Sequence, residues 1–145
     1  MAEYRKETVT KADYDKKSPL DTQLEVIKKE HDPRFGDCIR AQNRTTGQVY
    51  VIKEKLANSK AEADRDILNM QSRMRIDHPH IQKMIDWSST MKSGLCSKNW
   101  KIRGYYEWPE TDLAQAMRQL HNSKQQYSHE DLTHMAYQML DALCF

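Results

Sequence analysis

The sequence predicts an α+β fold, with five strands, one helix after the third strand, and two further helices. Three observations predict it. β-Branched and aromatic residues crowd "QVYVIKEKL" (48–56) and "WKIRGYYEW" (100–108), as strands require. A helix start signal at Ser59 opens apolar residues at helical spacing between those two stretches. Past Pro109 the pattern is helical to the last residue given.

Taken in order, residues 1–19 mix charges of both signs with almost no aliphatic side chains. They are expected to form a flexible tail that orders only on a partner, because they supply no core to offset their ordering entropy. "TQLEVIKKE" (22–30), with Leu24, Val26 and Ile27, reads as the first strand, and "FGDCIRAQ" (35–42) as the second. "NRTTG" (43–47) is a turn ending on glycine, and "QVYVIKEKL" is the third strand. Ser59 and Glu62 form a capping box, and Ala63, Ile67, Met70 and Met74 then share one helix face. Pro79 marks the end of that helix. "HIQKMIDWSS" (80–89) and "WKIRGYYEW" are two more strands, joined by a polar hairpin loop over 89–99. "TDLAQAMRQLH" (111–121) is a short amphipathic helix. The last helix is capped by Ser128, carries acids in its first turn, and presents Leu132, Met135, Ala136, Met139, Leu140 and Leu143 as a wide stripe.

Composition narrows the function. The 145 residues suit one domain, and with 30% charged against 38% hydrophobic residues the core is modest or shared with a partner. Lys and Arg exceed Asp and Glu by only 23 to 21, which gives no electrostatic footprint for nucleic acid or an anionic membrane. No apolar run has the length of a membrane span, and "MAEYRKETVT" has no signal-peptide core. Cys38, Cys96 and Cys144 lack paired spacing and read as reduced, partly buried thiols of a cytoplasmic protein. His78-Pro79-His80 is explained by the turn after the helix, and His129 and His134 fall on different helix faces. No metal site is expected.

Four stretches in order carry a resemblance: "YVIK" (50–53), "DHPHI" (77–81), "YYEWPETDL" (105–113) and "YQMLDALCF" (137–145). From about Leu24 to Phe145 the chain resembles the N-terminal lobe and hinge of a eukaryotic protein kinase, with the first helices of the C-terminal lobe. The resemblance implies a tail over 1–19, a kinase-like lobe with a five-stranded antiparallel sheet and helix C over 20–108, and the hinge with helices of an incomplete second lobe over 109–145. It also assigns vestigial nucleotide-binding positions: Lys53 as the strand lysine, Asp66 as the nearest match to the helix C acid, and Glu107 at the hinge.

Departures from the family pattern point away from catalysis. Where the family has its glycine-rich loop, this chain reads "KKEHDPRFGD" (28–37), so Glu30, Asp32 and Pro33 replace a phosphate cradle and only Phe35-Gly36 remains. Pro109 stands where a hinge N–H would meet adenine, and it has no N–H. Tyr106 is a bulky gatekeeper. Asp66 is one methylene shorter than glutamate, about 1.5 Å of reach, and family spacing points to Asn69 instead. The sequence given ends before the positions of the catalytic-loop aspartate and the D-F-G metal ligand.

The expectation is therefore a catalytically inactive, truncated kinase-like domain that serves as a structural or interaction subunit, with no cofactor and no ATP binding. Protein partners are expected on Leu132, Met135, Met139, Leu140, Leu143 and Phe145, and neither nucleic acid nor membrane is. Two alternatives stand beside it: the N-terminal fragment of a longer kinase or pseudokinase, and a regulator that binds ATP weakly through Lys53. Fold analogy alone suggests a cytoskeletal or ciliary assembly.

Overall fold

The computed structural model describes residues 8–33, 36–94, 96–108 and 113–144, without the side chains of Asp32 and Leu113. Two compact units result, one of Met1–Ile76 with Lys83–Trp108 and one of Asp77–Gln82 with Pro109–Phe145. The expected α+β class holds. A five-stranded antiparallel sheet in the order β1-β2-β3-β5-β4 fills the first unit. Its strands are β1 (Leu24–Asp32), β2 (Gly36–Asn43), β3 (Val49–Ala57), β4 (Met84–Ser93) and β5 (Lys98–Glu107).

Local chemistry sets the connections. In the turn after β2, the Asn43 side chain accepts from the N–H groups of Thr45 and Thr46, and Gly47 supplies a φ of +75°. β4 starts at Met84, four residues after the expected start, and both β4 and β5 extend into the expected loop. Their hairpin closes with Gly94 N–H donating to Ser97 O at 2.7 Å, so most of the expected loop is strand. Helix α2 (Lys60–Met74) begins at Ser59, whose hydroxyl accepts from Glu62 N–H. The Glu62 carboxylate reaches back to Asn58 N–H, one residue before the cap.

Strand alternation gives the sheet two covered faces. On the first, α2 lays Ala63, Ile67 and Met70 against Val51, Ala57, Trp87, Trp100, Ile102 and Tyr106. Met74, expected on the same stripe, is half-exposed at the helix end. On the second face, Ile39, Ala41, Ile52 and Tyr105 form a smaller cluster, with Leu20 and Leu24 packed on it. Each fully buried aliphatic side chain contributes roughly 1.5–3 kcal/mol.

The expected flexible tail needs correcting for residues 8–19; residues 1–7 lie outside the described residues. The segment from Val9 to Gln23 is a strap around the edge strand β4. It contains a 3-10 turn (Lys11–Asp15) and the one-turn helix α1 (Leu20–Gln23). Val9 and Tyr14 pack on the first-face core, and the Tyr14 hydroxyl donates to Asp64. At the edge, Ser89 N–H donates to Lys16 O at 2.8 Å. Lys16 Nζ lies 3.0 Å from Asp86 and donates to Trp87 O at 2.8 Å, while Ser18 Oγ donates to Asp86 at 2.6 Å. The chain then crosses to the second face, where Tyr105 donates to Asp21. Composition hid this docking because polar fastenings, not an apolar face, do most of the holding.

Two titrations report on the strap. Burial alone would raise the Asp86 carboxyl, but bonds from Ser18, Lys16 and Trp87 N–H outweigh it and hold the group below its ordinary value. Its contribution to stability is therefore present above the ordinary carboxylate range and lost as pH falls through it. The Tyr14 phenol is pushed up to about 12, chiefly by its bond to Asp64 and then by burial. That contribution is present below the ordinary tyrosine value and lost as pH rises through about 12. Acidification below about pH 4 should detach the strap before the sheet melts. Amide exchange over 10–23 and at Ser89, corrected for intrinsic rate, should rise while Ile52 stays protected. Asp86→Ala should reproduce this at neutral pH.

The second unit holds helices α3 (Leu113–Asn122) and α4 (His129–Leu143) with the 77–82 segment. Ser128 caps α4, as expected, and does so in a capping box with Asp131, their two bonds measuring 3.0 and 3.2 Å. Among the described residues no helix is long and apolar enough to cross a membrane.

Candidate functional site

β3 carries Val51, Lys53, Lys55 and Ala57 toward α2, because residues two apart share a face. Of the acids on α2, Glu62, Asp64 and Asp66, the buried one is Asp66, only 5% exposed. Its partner is Lys55, at 3.0 Å, and not Lys53. The second oxygen of Asp66, Oδ2, is buried without a hydrogen bond. Lys53 is exposed on its strand and places its ammonium 4.9 Å from the centre of the Tyr106 ring. The Tyr106 hydroxyl in turn accepts from Arg73 Nη1 of α2 at 3.1 Å.

Of the three nucleotide positions read from sequence, the fold therefore brings none into an ion pair with another. Lys53 is opposite Gly104, and Glu107 is opposite Tyr50, three rungs away or about 10 Å along the ladder. Alternation also separates them: Tyr106 belongs to the first-face cluster, so Glu107 turns with Tyr105 to the second. Pro109, the expected hinge defect, lies outside the described residues. Lys55 was missed, although its spacing of two from Lys53 already assigns it the same face.

In the stretch expected to replace a glycine-rich loop, the described residues form charge pairs. Lys28 meets Glu30 at 2.5 Å, and Asp37 takes contacts from His31 at 2.7 Å and Lys29 at 3.2 Å. The His31 bond, followed by that of Lys29, holds the Asp37 carboxyl below its usual value. Gly36 has a φ of +82°, and a methyl group there would come within 2.8 Å of Glu54 O. This glycine serves close strand packing.

In the second unit, the partner residues predicted on α4 lie on an open face. Exposure runs from 52% at Leu132 through 58% at Met139 and 61% at Leu140 to 82% at Leu143, and Met135 is half-buried. Phe145 lies outside the described residues. A groove of about 830 Å³ runs beside this face, lined by Pro79, Ile81, Met135, Met139 and Leu143 among others. The histidines after α2 have a role that sequence did not reveal: His78 and His80 place Nε2 at 3.3 and 3.7 Å from Asp141 on α4. His80 N–H also donates to His78 Nδ1, which leaves His78 Nε2 as the nitrogen facing that carboxylate. No local pattern predicts a pairing across more than sixty residues. Among the described residues, no group of three or more His, Cys, Asp or Glu side chains is arranged to hold a metal ion. Cys96 and Cys144 are exposed thiols rather than partly buried ones, and Cys38 packs at the core edge.

No protein-family model matches the chain, and a comparison with curated proteins finds no match.

The Asp66 geometry gives a direct expectation. Lys55→Met leaves a buried carboxylate without its cation and should lower stability by about 1–2 kcal/mol, the modest end for a charged hydrogen bond because the lysine end is solvated. Lys53→Met forfeits one exposed ring contact and should cost less, about 0.5 kcal/mol. Urea unfolding of the two variants checks the order.

Proposed function

We propose that this chain is a kinase-like domain that works as a structural or interaction subunit and not as a phosphotransferase. The five-stranded antiparallel sheet, with its helix after the third strand and the "YVIK" stretch on β3, supports the kinase-like reading. The site residues support the loss of nucleotide chemistry. In a kinase the strand lysine is clamped by a helix C acid and held to phosphate, whereas here Asp66 is committed to Lys55. Carboxylates at Glu30 and Asp37, engaged in ion pairs, occupy the region of the missing phosphate cradle.

The observation that carries the interaction role is the open apolar face of α4. Leaving several Leu and Met side chains in water costs roughly 1.5–3 kcal/mol each relative to burial, and such faces drive association. A protein partner covering Leu132, Met135, Met139, Leu140 and Leu143 is the preferred reading, by packing a helix against this face or receiving α4 in a groove. The same exposure favours one second reading, in which further kinase-like polypeptide of a longer chain supplies the cover. The native mass of the cellular protein separates the two.

Two measurements test the proposal. The chain of 145 residues should transfer no phosphate to protein substrates and show no saturable rise in Tm with millimolar Mg-ATP. Metal-dependent transfer that Lys53→Met abolishes would overturn it. Replacing Met139 and Leu140 with Asp should abolish complex formation while the sheet unit stays folded by circular dichroism. A native chain that is monomeric with its α4 face protected from exchange would refute the interaction role.

A further inference from the structure

The strap has one fastening that chemistry can reverse. Ser18 is 4% exposed, and its hydroxyl has two engagements: it donates to Asp86 Oδ2 at 2.6 Å and accepts from Leu20 N–H at 3.2 Å. Its own N–H donates to the Asp21 carboxylate at 3.0 Å. One carboxylate thus accepts from the Ser18 hydroxyl and a second from the N–H of the same residue, and Asp21 also receives the Tyr105 hydroxyl from the sheet. The residue after Ser18 is Pro19, and Lys16 and Lys17 precede it. A serine followed by proline is the minimal acceptor of proline-directed serine/threonine protein kinases.

We propose that Ser18 is a phosphorylation site whose modification releases the 9–23 strap from the sheet. The donor is ATP and the catalyst a separate proline-directed kinase. The bond from the γ-phosphorus to its bridging oxygen breaks, a bond to Ser18 Oγ forms, ADP leaves, and the hydroxyl proton passes to that kinase's base. Access comes through local opening. The strap is held by polar contacts and three half-buried apolar anchors, Val9, Tyr14 and Leu20, so it opens at lower cost than the sheet it covers.

Once formed, the phosphoserine cannot return to its seat. It has about two negative charges and three acceptor oxygens. The seat is built for a donor: Ser18 gives its hydroxyl to Asp86 and its N–H to Asp21, and among the described residues Lys16 is the ammonium bonded to Asp86 there. Like-charge repulsion in a closed site outweighs a single cation already paired. Release uncovers Tyr105 and Ile52 on the second face and frees the Ser89 N–H at the β4 edge, a place where another strand can pair.

The test uses the full chain, a proline-directed kinase and Mg-ATP, with the phosphate located by peptide mass spectrometry. Amide exchange is then compared between the two forms. Phosphorylation at Ser18 should raise exchange at Ser89 and across 10–23 by about tenfold or more, while Ile39 and Ile52 on the inner strands remain slow. Ser18→Ala should block incorporation and retain most of the strap's protection. Failure of the folded chain to accept phosphate, when a peptide of residues 12–24 does accept it, would overturn the proposal. So would incorporation at Ser18 with exchange at Ser89 unchanged, or exchange rising equally at Ile52, which would mean global unfolding instead of a released strap.

Discussion

The antiparallel pairing of β3 with β5 is the constraint on which the rest of the first unit depends. It joins Val51 to Tyr106, Ile52 to Tyr105, Lys53 to Gly104 and Glu54 to Arg103, across about fifty residues of sequence. Everything between those strands, including α2 and β4, has to be accommodated around that ladder. Tight packing enforces it. A methyl group on Gly104 would come within 3.0 Å of Met84 Cε and 3.2 Å of Tyr106, so a larger residue there would push those side chains of the first-face core aside. On the opposite side, Glu54 is nearly buried and takes Arg103 at 2.7 Å and Lys101 at 3.7 Å, which fixes the register electrostatically.

With that ladder set, the sheet has two faces to cover, and the molecule covers them differently. The first receives an amphipathic helix, so apolar area does the holding. The second receives the far end of a polar strap, whose apolar contribution there is Leu20 and whose position is set by Asp86, Asp21 and the edge amide of Ser89, while Val9 and Tyr14 of the same strap pack on the first. An area-driven cover is insensitive to pH and modification. A cover fastened at carboxylates and hydroxyls responds to both, and it also occupies the edge strand that would otherwise be open to pairing.

Charge placement in the site follows from the same geometry. A β-strand offers its lysines to one face at every second residue, and α2 has a single buried carboxylate to receive them. Lys55 takes it, and Lys53 is left to the Tyr106 ring. In the second unit the loop after α2 is held to α4 through Asp141, while the outward stripe of α4 stays uncovered. The first unit thus has a cover on each sheet face, and α4 in the second keeps an exposed apolar stripe.

The order of elements, the Ser59 and Ser128 caps, the turn ending at Gly47 and the apolar stripes of α2 and α4 were legible in the sequence. Each depends on residues within a turn or two of one another, where spacing alone decides which side chains meet. The lysine at 53 was equally visible, but its partner was not. Whether Asp66 meets residue 53 or 55 depends on where the helix crosses the strand, which local spacing does not set. Residues 8–19 read as a tail because their composition offers no core, and their fastenings lie about fifty to more than seventy positions away, at Asp64, Asp86, Trp87 and Ser89. The pairing of His78 and His80 with Asp141 is of the same kind. Hydrogen bonds and ion pairs between distant residues leave no periodic trace in a sequence, so these contacts were decided only by the tertiary structure, whereas apolar faces repeat along the chain and the sequence alone determined them.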